Sequence, residues 1–182
     1  MGFNITNLPV IKYSWLRRVL GFSSAKPGQV LKSGFKTSIG NVKKNIKVDW
    51  LNGGSVVWKQ DILLANPNEE INTRWAVGED LIYSYPLGKH YPLYVCSDAI
   101  VEIDVEILDR TVKEFYLYRG EAIYLWGLYF VLKNEELSVI SFFINKSIYC
   151  IVQIIKSVIQ FDKNKFYSTT GIIKAFLRSL RA

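Results

Sequence analysis

Apolar residues recur at helical spacing through the last third of the chain, and this pattern predicts helices over residues 111–132, 135–161 and 168–180. The first of these is interrupted weakly, by Gly120 and Gly127. In the second, the polar residues form one narrow stripe and nearly all other positions are apolar. The stripe consists of Ser138, Ser141, Asn145, Gln153, Lys156 and Gln160. A helix with so wide an apolar face buries most of its girth in protein or in a membrane interface.

The third predicted helix has a compact apolar face and a cationic one. The cationic face carries Lys174, Arg178 and Arg181. A basic amphipathic helix of this kind is typical of segments that lie on an anionic membrane surface. No apolar run reaches the ~18–20 uninterrupted residues of a spanning helix. We therefore predict that residues 111–182 form a helical, membrane-associated tail.

Shorter patterns fill the rest of the chain. They predict strands over residues 47–51, 91–96 and 99–108, and helices over residues 13–20, 57–65 and 79–87. Residues 1–9 are expected to be irregular, and residues 23–45 form a predicted loop rich in Ser, Gly and Lys. The predicted class is α/β, with a basic N-terminal helix and linker at residues 1–46 and a mixed region at residues 47–110.

Charge is distributed unevenly around the net value of +7. Residues 1–50 carry nine Lys or Arg against one acid, and residues 162–182 carry five against one, so the acidic excess lies between them. Basic ends beside apolar helices favour an anionic membrane surface as partner, and no nucleic-acid-binding motif accompanies the charge. Cys96 and Cys150 lie inside apolar runs without metal-ligand spacing, so we expect buried free thiols.

Residues 48–80 hold the most informative stretch of the chain. An apolar run ends at Gly53-Gly54, a helical pattern follows, and the stretch closes on Gly78-Glu79-Asp80. Adjacent glycines let the backbone approach a bulky group, because no Cβ is in the way. Asp80 starts the next helical pattern, where a carboxylate is favoured by the helix dipole. A tight turn and a plain helix start explain the same residues without a site.

The stretch also resembles a known family. The segments W-L-N-G-G-S, W-K-Q-D-I-L and G-E-D-L-I-Y-S-Y are similar, in order and spacing, to the acceptor-side half of a family 2 glycosyltransferase of the GT-A type. The resemblance runs from about residue 29 to the C-terminus. It implies part of a GT-A domain followed by amphipathic helices. It also implies an inverting hexosyltransferase reaction.

The resemblance assigns a role to each residue that the motifs match. Asp80 corresponds to the catalytic base, and Glu79 is its partner in the Glu-Asp pair. The implied substrate-binding residues are Trp50, Gly53, Gly54, Ser55, Lys59 and Glu79. Trp50 offers a flat ring to a sugar face, and Lys59 lies where the family often carries a cation that meets a phosphate.

One part of the family pattern is not found. A complete enzyme of this family holds a divalent metal, Mg or Mn, through an Asp-x-Asp motif at the end of a nucleotide-binding βαβ unit. No Asp precedes Asp49 and no such unit is predicted before it, so this chain alone supports no metal site. The family's metal-binding His falls at Ile103, and the single histidine, His90, comes too early. A separate chain with the donor-binding half is therefore an expected partner.

The functional hypothesis is transfer of a sugar from a nucleotide-diphosphate sugar to a saccharide or lipid-linked acceptor in polysaccharide biosynthesis. The expected location is the inner face of the cell membrane, as a peripheral protein. Two alternatives stay open. The chain is a non-catalytic remnant or partner subunit that lacks donor binding, or it is a membrane-surface binding protein without sugar chemistry.

Overall fold

The computed structural model describes residues 1–7, 15–24, 26–67, 77–102 and 112–180, apart from the side chain of Leu16. Over these residues the chain is mixed α/β, as predicted. It divides into two units, which we call the mixed unit and the helical unit. The mixed unit comprises residues 1–31, 35–70 and 79–105, and the helical unit comprises residues 32–34, 71–78 and 106–182.

Six α-helices and three strands form the described part of the chain. In order they are β1 (Gly2–Ile5), α1 (Trp15–Val19), β2 (Ile46–Val48), α2 (Gln60–Ala65), α3 (Glu79–His90), β3 (Leu93–Val101), α4 (Lys113–Lys133), α5 (Val139–Ile159) and α6 (Lys163–Ser179). A single 3-10 turn at Gly53–Ser55 precedes α2. The order of elements along the chain agrees with the sequence pattern except at β1 and at β3, where two predicted strands are one, and the bounds of several elements differ.

The sheet of the mixed unit has the order β1-β3-β2. β3 is central: β1 pairs with it in parallel and β2 in antiparallel, and Val95 faces both Gly2 and Ile46. Strand β1 lies where the sequence predicts irregular chain. Four residues are too few to show an alternation, and their partner lies about ninety residues away, so only the tertiary pairing defines this strand.

Several boundaries differ from the predictions: α6 begins at Lys163 and not at residue 168, β2 ends at Val48 and not at residue 51, and two differences concern α3 and β3. α3 continues through Pro86 to His90 although the sequence pattern ends it at residue 87. The buried side of the helix, which includes Leu81 and Leu87, anchors both of its halves, and the Tyr91 amide donates to the Leu87 carbonyl at 2.8 Å. The two predicted strands at residues 91–96 and 99–108 are one continuous strand, β3, as far as Val101.

The predicted loop at residues 23–45 is held by buried side chains. The Asn4 side-chain amide donates to the carbonyl oxygens of Val42 and Ser97 at 3.0 and 3.1 Å, and the Val42 amide donates back to Asn4 Oδ1 at 2.9 Å. The Trp50 indole N–H donates to the Thr37 carbonyl at 3.1 Å. Because these groups are buried, the loop has a defined path although it contains almost no regular structure.

In the helical unit, α4 and α6 approach each other at two glycines. A Cβ on Gly120 would lie 2.0 Å from the Ser168 carbonyl oxygen, and one on Gly171 would lie 2.1 Å from the Leu117 carbonyl oxygen. The sequence pattern treats Gly120 as a weak interruption of a helix. It is instead a point of backbone contact, which small residues make possible.

Helix α5 turns some of its polar residues toward the protein and a row of apolar residues toward solvent. Its buried residues are Phe142, Asn145 and Ser157, so part of the predicted polar stripe faces the protein. An outward row of apolar side chains, which we call the α5 stripe, is more than half exposed. The α5 stripe consists of Ile140, Ile144, Ile151, Ile155 and Val158.

By length and composition α5 is also the one helix in the described ranges that is long and apolar enough to cross a membrane, with a mean hydropathy of 1.4. The buried helix of a soluble protein passes the same criterion, but only 11% of this helix is buried inside the protein. The helix thus has a surface that suits an apolar surrounding on its outer side.

Candidate functional site

The Gly-Gly segment of the mixed unit is fixed by its two neighbours in the chain. On one side, Leu51 is fully buried at the end of the β2 segment. On the other, Val56 bridges to Gly2, and the Val57 amide donates to the Met1 carbonyl at 2.9 Å. The 3-10 turn at Gly53–Ser55 is therefore held between the core and the edge strand β1.

Ser84 connects the first part of α3 to this segment. The Leu51 amide donates to Ser84 Oγ at 2.9 Å, and Ser84 Oγ donates to the Asp80 carbonyl at 2.6 Å, one helical turn earlier. Ser84 is only 1% exposed. Because the hydroxyl is buried and fully used, it sets the position of the α3 start relative to the Gly-Gly segment.

As a result, Asp80 lies beside Gly53. A Cβ placed on Gly53 would lie 3.4 Å from the Asp80 Cβ, which is ordinary van der Waals contact. The two residues are 27 positions apart in the sequence, and the structure brings together the two motifs that the sequence analysis singled out. The Asp80 side chain is 19% exposed, so solvent still reaches it.

Both carboxylate oxygens of Asp80 contact a lysine that the sequence analysis did not select. The Lys36 ammonium donates to Oδ1 and Oδ2 at 2.9 and 3.1 Å. Burial lowers the pKa of Lys36, and the facing Asp80 carboxylate opposes that shift. The same ammonium lies 3.9 Å above the Trp50 ring, within cation–π range.

Trp50 is consequently a support for Lys36. The indole is 3% exposed, donates its N–H to the Thr37 carbonyl, and has the Lys36 ammonium on one ring face. The sequence predicts that Trp50 stacks on a sugar face, but Lys36 covers one face of this ring. A ligand at this site contacts Lys36 and Asp80 before it reaches Trp50.

Two buried hydroxyls near the Gly-Gly turn have no hydrogen-bond partner in the described part of the chain, Ser55 Oγ and Tyr83 Oη. Ser55 ends the 3-10 turn and is 4% exposed. Tyr83 follows Asp80 on α3, packs edge-on against Trp58 with ring centroids 5.4 Å apart, and has its pKa raised by burial. Buried polar groups without a partner cost free energy, so they mark positions where a ligand gains by binding.

The other predicted residues are exposed around this centre. Gly54 has open space within 4 Å of a Cβ position, Lys59 precedes α2, and Glu79 begins α3. Trp75, which the sequence places near the Glu-Asp pair, is outside the described residues.

Lys36, Ser84 and Tyr83 are the residues that sequence reasoning missed. Ser84 and Tyr83 lie within one helical turn after Asp80, so the spacing in α3 was an available signal. Lys36 is one of nine cations in the first fifty residues and lies in a loop, so no pattern distinguished it. Its proximity to Asp80 follows from the path of the loop alone.

The residues around Asp80 do not fit a divalent metal. Mg²⁺ and similar ions need several converging oxygen ligands, and here the carboxylate is engaged by an ammonium. Within the described ranges no group of three or more His, Cys, Asp and Glu residues converges to hold a metal ion. Three acidic residues alternate along the chain after β3: Glu102 is exposed, and Asp104 and Glu106 are outside the described residues.

Comparison of the chain with protein-family models, with curated proteins and with solved structures finds no match. The likeness of the Gly-Gly and Glu-Asp segments to family 2 glycosyltransferases therefore depends on those residues alone.

Proposed function

We propose that the Asp80 site serves inverting glycosyl transfer, with Asp80 as the general base. The observation that carries this proposal is the contact between Asp80 and Gly53, because it joins the Glu-Asp and Gly-Gly segments on one exposed surface. A carboxylate beside a glycine leaves room for an acceptor next to the base. The same proposal regards the mixed unit as the acceptor-side part of a GT-A domain.

In this reaction the acceptor hydroxyl attacks the anomeric carbon of the donor sugar. Asp80 takes the hydroxyl proton, a new C–O bond forms, and the bond from the anomeric carbon to the diphosphate oxygen breaks. The nucleoside diphosphate leaves with that electron pair. General base catalysis of this kind contributes typically 10²–10⁴-fold. No step is assigned to a metal, because the residues present do not fit one.

Lys36 gives this mechanism an added requirement. The ammonium now contacts both oxygens of the carboxylate, so an acceptor hydroxyl has to displace it from at least one of them. The ammonium also lies 3.9 Å from the Trp50 ring centroid, so a Lys36 displaced from one oxygen still has a partner beside Asp80. Lys36 therefore orders the base when no acceptor is bound.

The test uses the full chain with a panel of nucleotide-diphosphate sugars and saccharide or lipid-linked acceptors, and measures release of nucleoside diphosphate. Asp80→Asn should lower turnover by at least ~10²-fold, and Asp61→Asn is the matched control because Asp61 is an exposed carboxylate on α2 that is not among the site residues. Equal rates for the two variants would remove Asp80 from the mechanism. Saccharide binding without transfer from any donor would agree either with the non-catalytic alternative or with a chain that needs a separate donor-binding partner.

A second candidate function, binding to a membrane surface, is favoured by the α5 stripe. Five large aliphatic side chains in one row are more than half exposed, and contiguous exposed apolar surface on this scale marks an interaction site. Exposed cations on α6, among them Lys174, accompany it. Each such cation near an anionic leaflet contributes on the order of 1 kcal/mol. The proposed location is the inner face of the cell membrane, with α5 lying in the interface.

The cationic face of α6 differs from the one that the sequence predicts. Arg178 donates to Glu121 of α4 at 2.6 Å, so this cation is already paired, and Arg181 is outside the described residues. The apolar residues Ile173 and Leu177 of α6 are exposed beside it. The exposed apolar surface of the helical unit therefore supports membrane binding more strongly than the cations of α6 do.

Flotation with vesicles of phosphatidylcholine and phosphatidylglycerol tests this function. The full chain should float with the vesicles, and Ile151→Ser/Ile155→Ser should float less because it interrupts the α5 stripe. Leu64→Ser is the matched control, since Leu64 is 77% exposed on α2 and outside the stripe. If the unaltered chain stays in the soluble fraction, α5 does not bind bilayers.

A further inference from the structure

The helical unit contains a groove of about 540 Å³ between α4, α5 and α6. Its walls are almost entirely apolar, and its α6 side consists of aliphatic and aromatic residues, among them Ile172, Phe176 and Leu177. The volume lies within the range of about 300–1,000 Å³ that is usual for small-molecule sites. The groove is distinct from the Asp80 site, which is in the mixed unit, and from the α5 stripe, none of whose residues line it, whereas Ile173 and Leu177 belong both to its lining and to the exposed surface beside Arg178.

One cationic residue, Lys146 of α5, lines this apolar groove. Its stem lies against Gly127 of α4, with Cε 3.7 Å from the Cβ position of that glycine, and its ammonium lies 5.4 Å from the Phe142 ring centroid. No carboxylate pairs with Lys146 in the described part of the chain. A cation in an apolar wall without a counter-ion is costly, and an anion that reaches it gains by pairing.

The other groups around Lys146 do not neutralise it. The titratable groups that line the groove with it are Tyr124 of α4 and Cys150 of α5, and the α6 residues of the lining are apolar. Tyr149, on the same helix, has its ring centroid 6.0 Å from the ammonium. Burial lowers the pKa of Lys146 to about 8 and raises the pKa of Cys150. At neutral pH the groove therefore holds a protonated lysine beside a neutral thiol.

We propose that this groove binds one fatty-acid molecule, with the alkyl chain along the apolar walls and the carboxylate paired with Lys146. The apolar lining requires an alkyl chain, the unpaired ammonium requires an anionic head, and the volume admits a single chain. Leu177 lines the groove and is 50% exposed, so we place the entrance for the ligand on this side.

Cys150 reports occupancy of the groove, because its thiol lines the wall near Lys146. The probe is decanoate at concentrations below micelle formation, added to the full chain without vesicles. N-ethylmaleimide labelling of each cysteine is followed by mass spectrometry, and Cys96 of β3 is the internal control. Decanoate should slow labelling of Cys150 severalfold and leave Cys96 unchanged.

Two further ligands test separately whether the groove requires the alkyl chain and whether it requires the negative charge. Acetate has the head without the chain, and decyltrimethylammonium has the chain with the opposite charge. Neither should protect Cys150 as decanoate does. Protection by decyltrimethylammonium at the same concentrations would show that charge does not select the ligand and would overturn the proposal. Protection by anionic vesicles but not by decanoate would overturn it as well, because the groove would then be part of a bilayer-contacting surface.

The variant Lys146→Gln should raise the Kd for decanoate by about 10- to 100-fold, the range for one charge-assisted hydrogen bond. Lys156→Gln is the matched control, since Lys156 lies exposed on the same helix and should leave the Kd unchanged. Leu177→Glu does not depend on the buried lysine and places a negative charge at the entrance. It should weaken decanoate binding, and unchanged affinity in both Lys146→Gln and Leu177→Glu would refute the site.

Discussion

Replacement of Gly171 by alanine tests the close approach of α4 and α6. The added Cβ would lie 2.1 Å from the Leu117 carbonyl oxygen and 3.0 Å from the Glu121 amide nitrogen. Ordinary contact begins about 1.3 Å farther out than the first of these distances, at 3.4 Å. Both neighbours are backbone atoms of α4, so no side chain can rotate away. The helices therefore have to separate.

The change in the free energy of unfolding caused by Gly171→Ala follows from two opposing effects. Overpacking of this kind costs typically 1–3 kcal/mol, and more where backbone must shift. Alanine regains up to about 1 kcal/mol through its higher helix propensity. Separation of the helices also weakens the Tyr124–Phe176 ring contact, whose centroids are 6.2 Å apart. We expect a net loss of about 2 kcal/mol in the free energy of unfolding.

Urea unfolding followed by far-UV circular dichroism measures this loss. Lys174→Ala on the same helix is exposed and should stay within about 0.5 kcal/mol of the unaltered chain. Gly127→Ala is a graded comparison, because its Cβ would meet the Phe142 side chain at 2.9 Å and a ring can adjust. If Gly171→Ala is as stable as Lys174→Ala, α4 and α6 do not approach as closely as described.

Two further predictions concern buried polar groups. Asn4→Ala should lower the free energy of unfolding by about 3 kcal/mol, because it leaves both backbone groups of Val42 buried without a partner. Asn4→Asp should lose at least as much, because a carboxylate oxygen would then face the Val42 and Ser97 carbonyl oxygens at a buried position, and unchanged stability in either variant would contradict this account of the loop. Burial lowers the pKa of Lys146 to about 8 in the folded chain, from an ordinary value of 10.5. Between pH 8 and 10.5 the unfolded chain therefore binds more protons than the folded chain. The free energy of unfolding should rise with pH over this range, by up to about 3 kcal/mol. Lys146→Met should remove this rise in urea titrations at pH 7, 8.5 and 10, and an unchanged pH profile would place the ammonium in water.

The sequence predicted the helices of the second half well, because a long repeat at helical spacing is a strong local signal. It could not predict β1, since four residues carry no period and their pairing with β3 is a long-range contact. Nor could it predict which side of α5 faces the protein. Asn145 is buried and Ile151 is exposed, which reverses the usual preference and is set by the neighbouring helices.

The candidate site was predicted in part. Asp80 and Gly53 were selected as a pair, and their proximity in the structure is consistent with that selection. Lys36 was not, because a lysine in a loop has no periodic or motif signal, and its contact with Asp80 depends on the folded path of about forty intervening residues. Polar partners that come from loops are generally beyond reach of pattern analysis for this reason.

The orientation of α5 has a consequence for the behaviour of the chain in water. A row of exposed isoleucines gains free energy from any apolar surface that covers it, and in dilute buffer the most available surface is the same row on another molecule. Self-association should therefore rise with protein concentration and fall when detergent is added. For this helix, the surrounding medium determines whether the chain is found as single molecules or as assemblies.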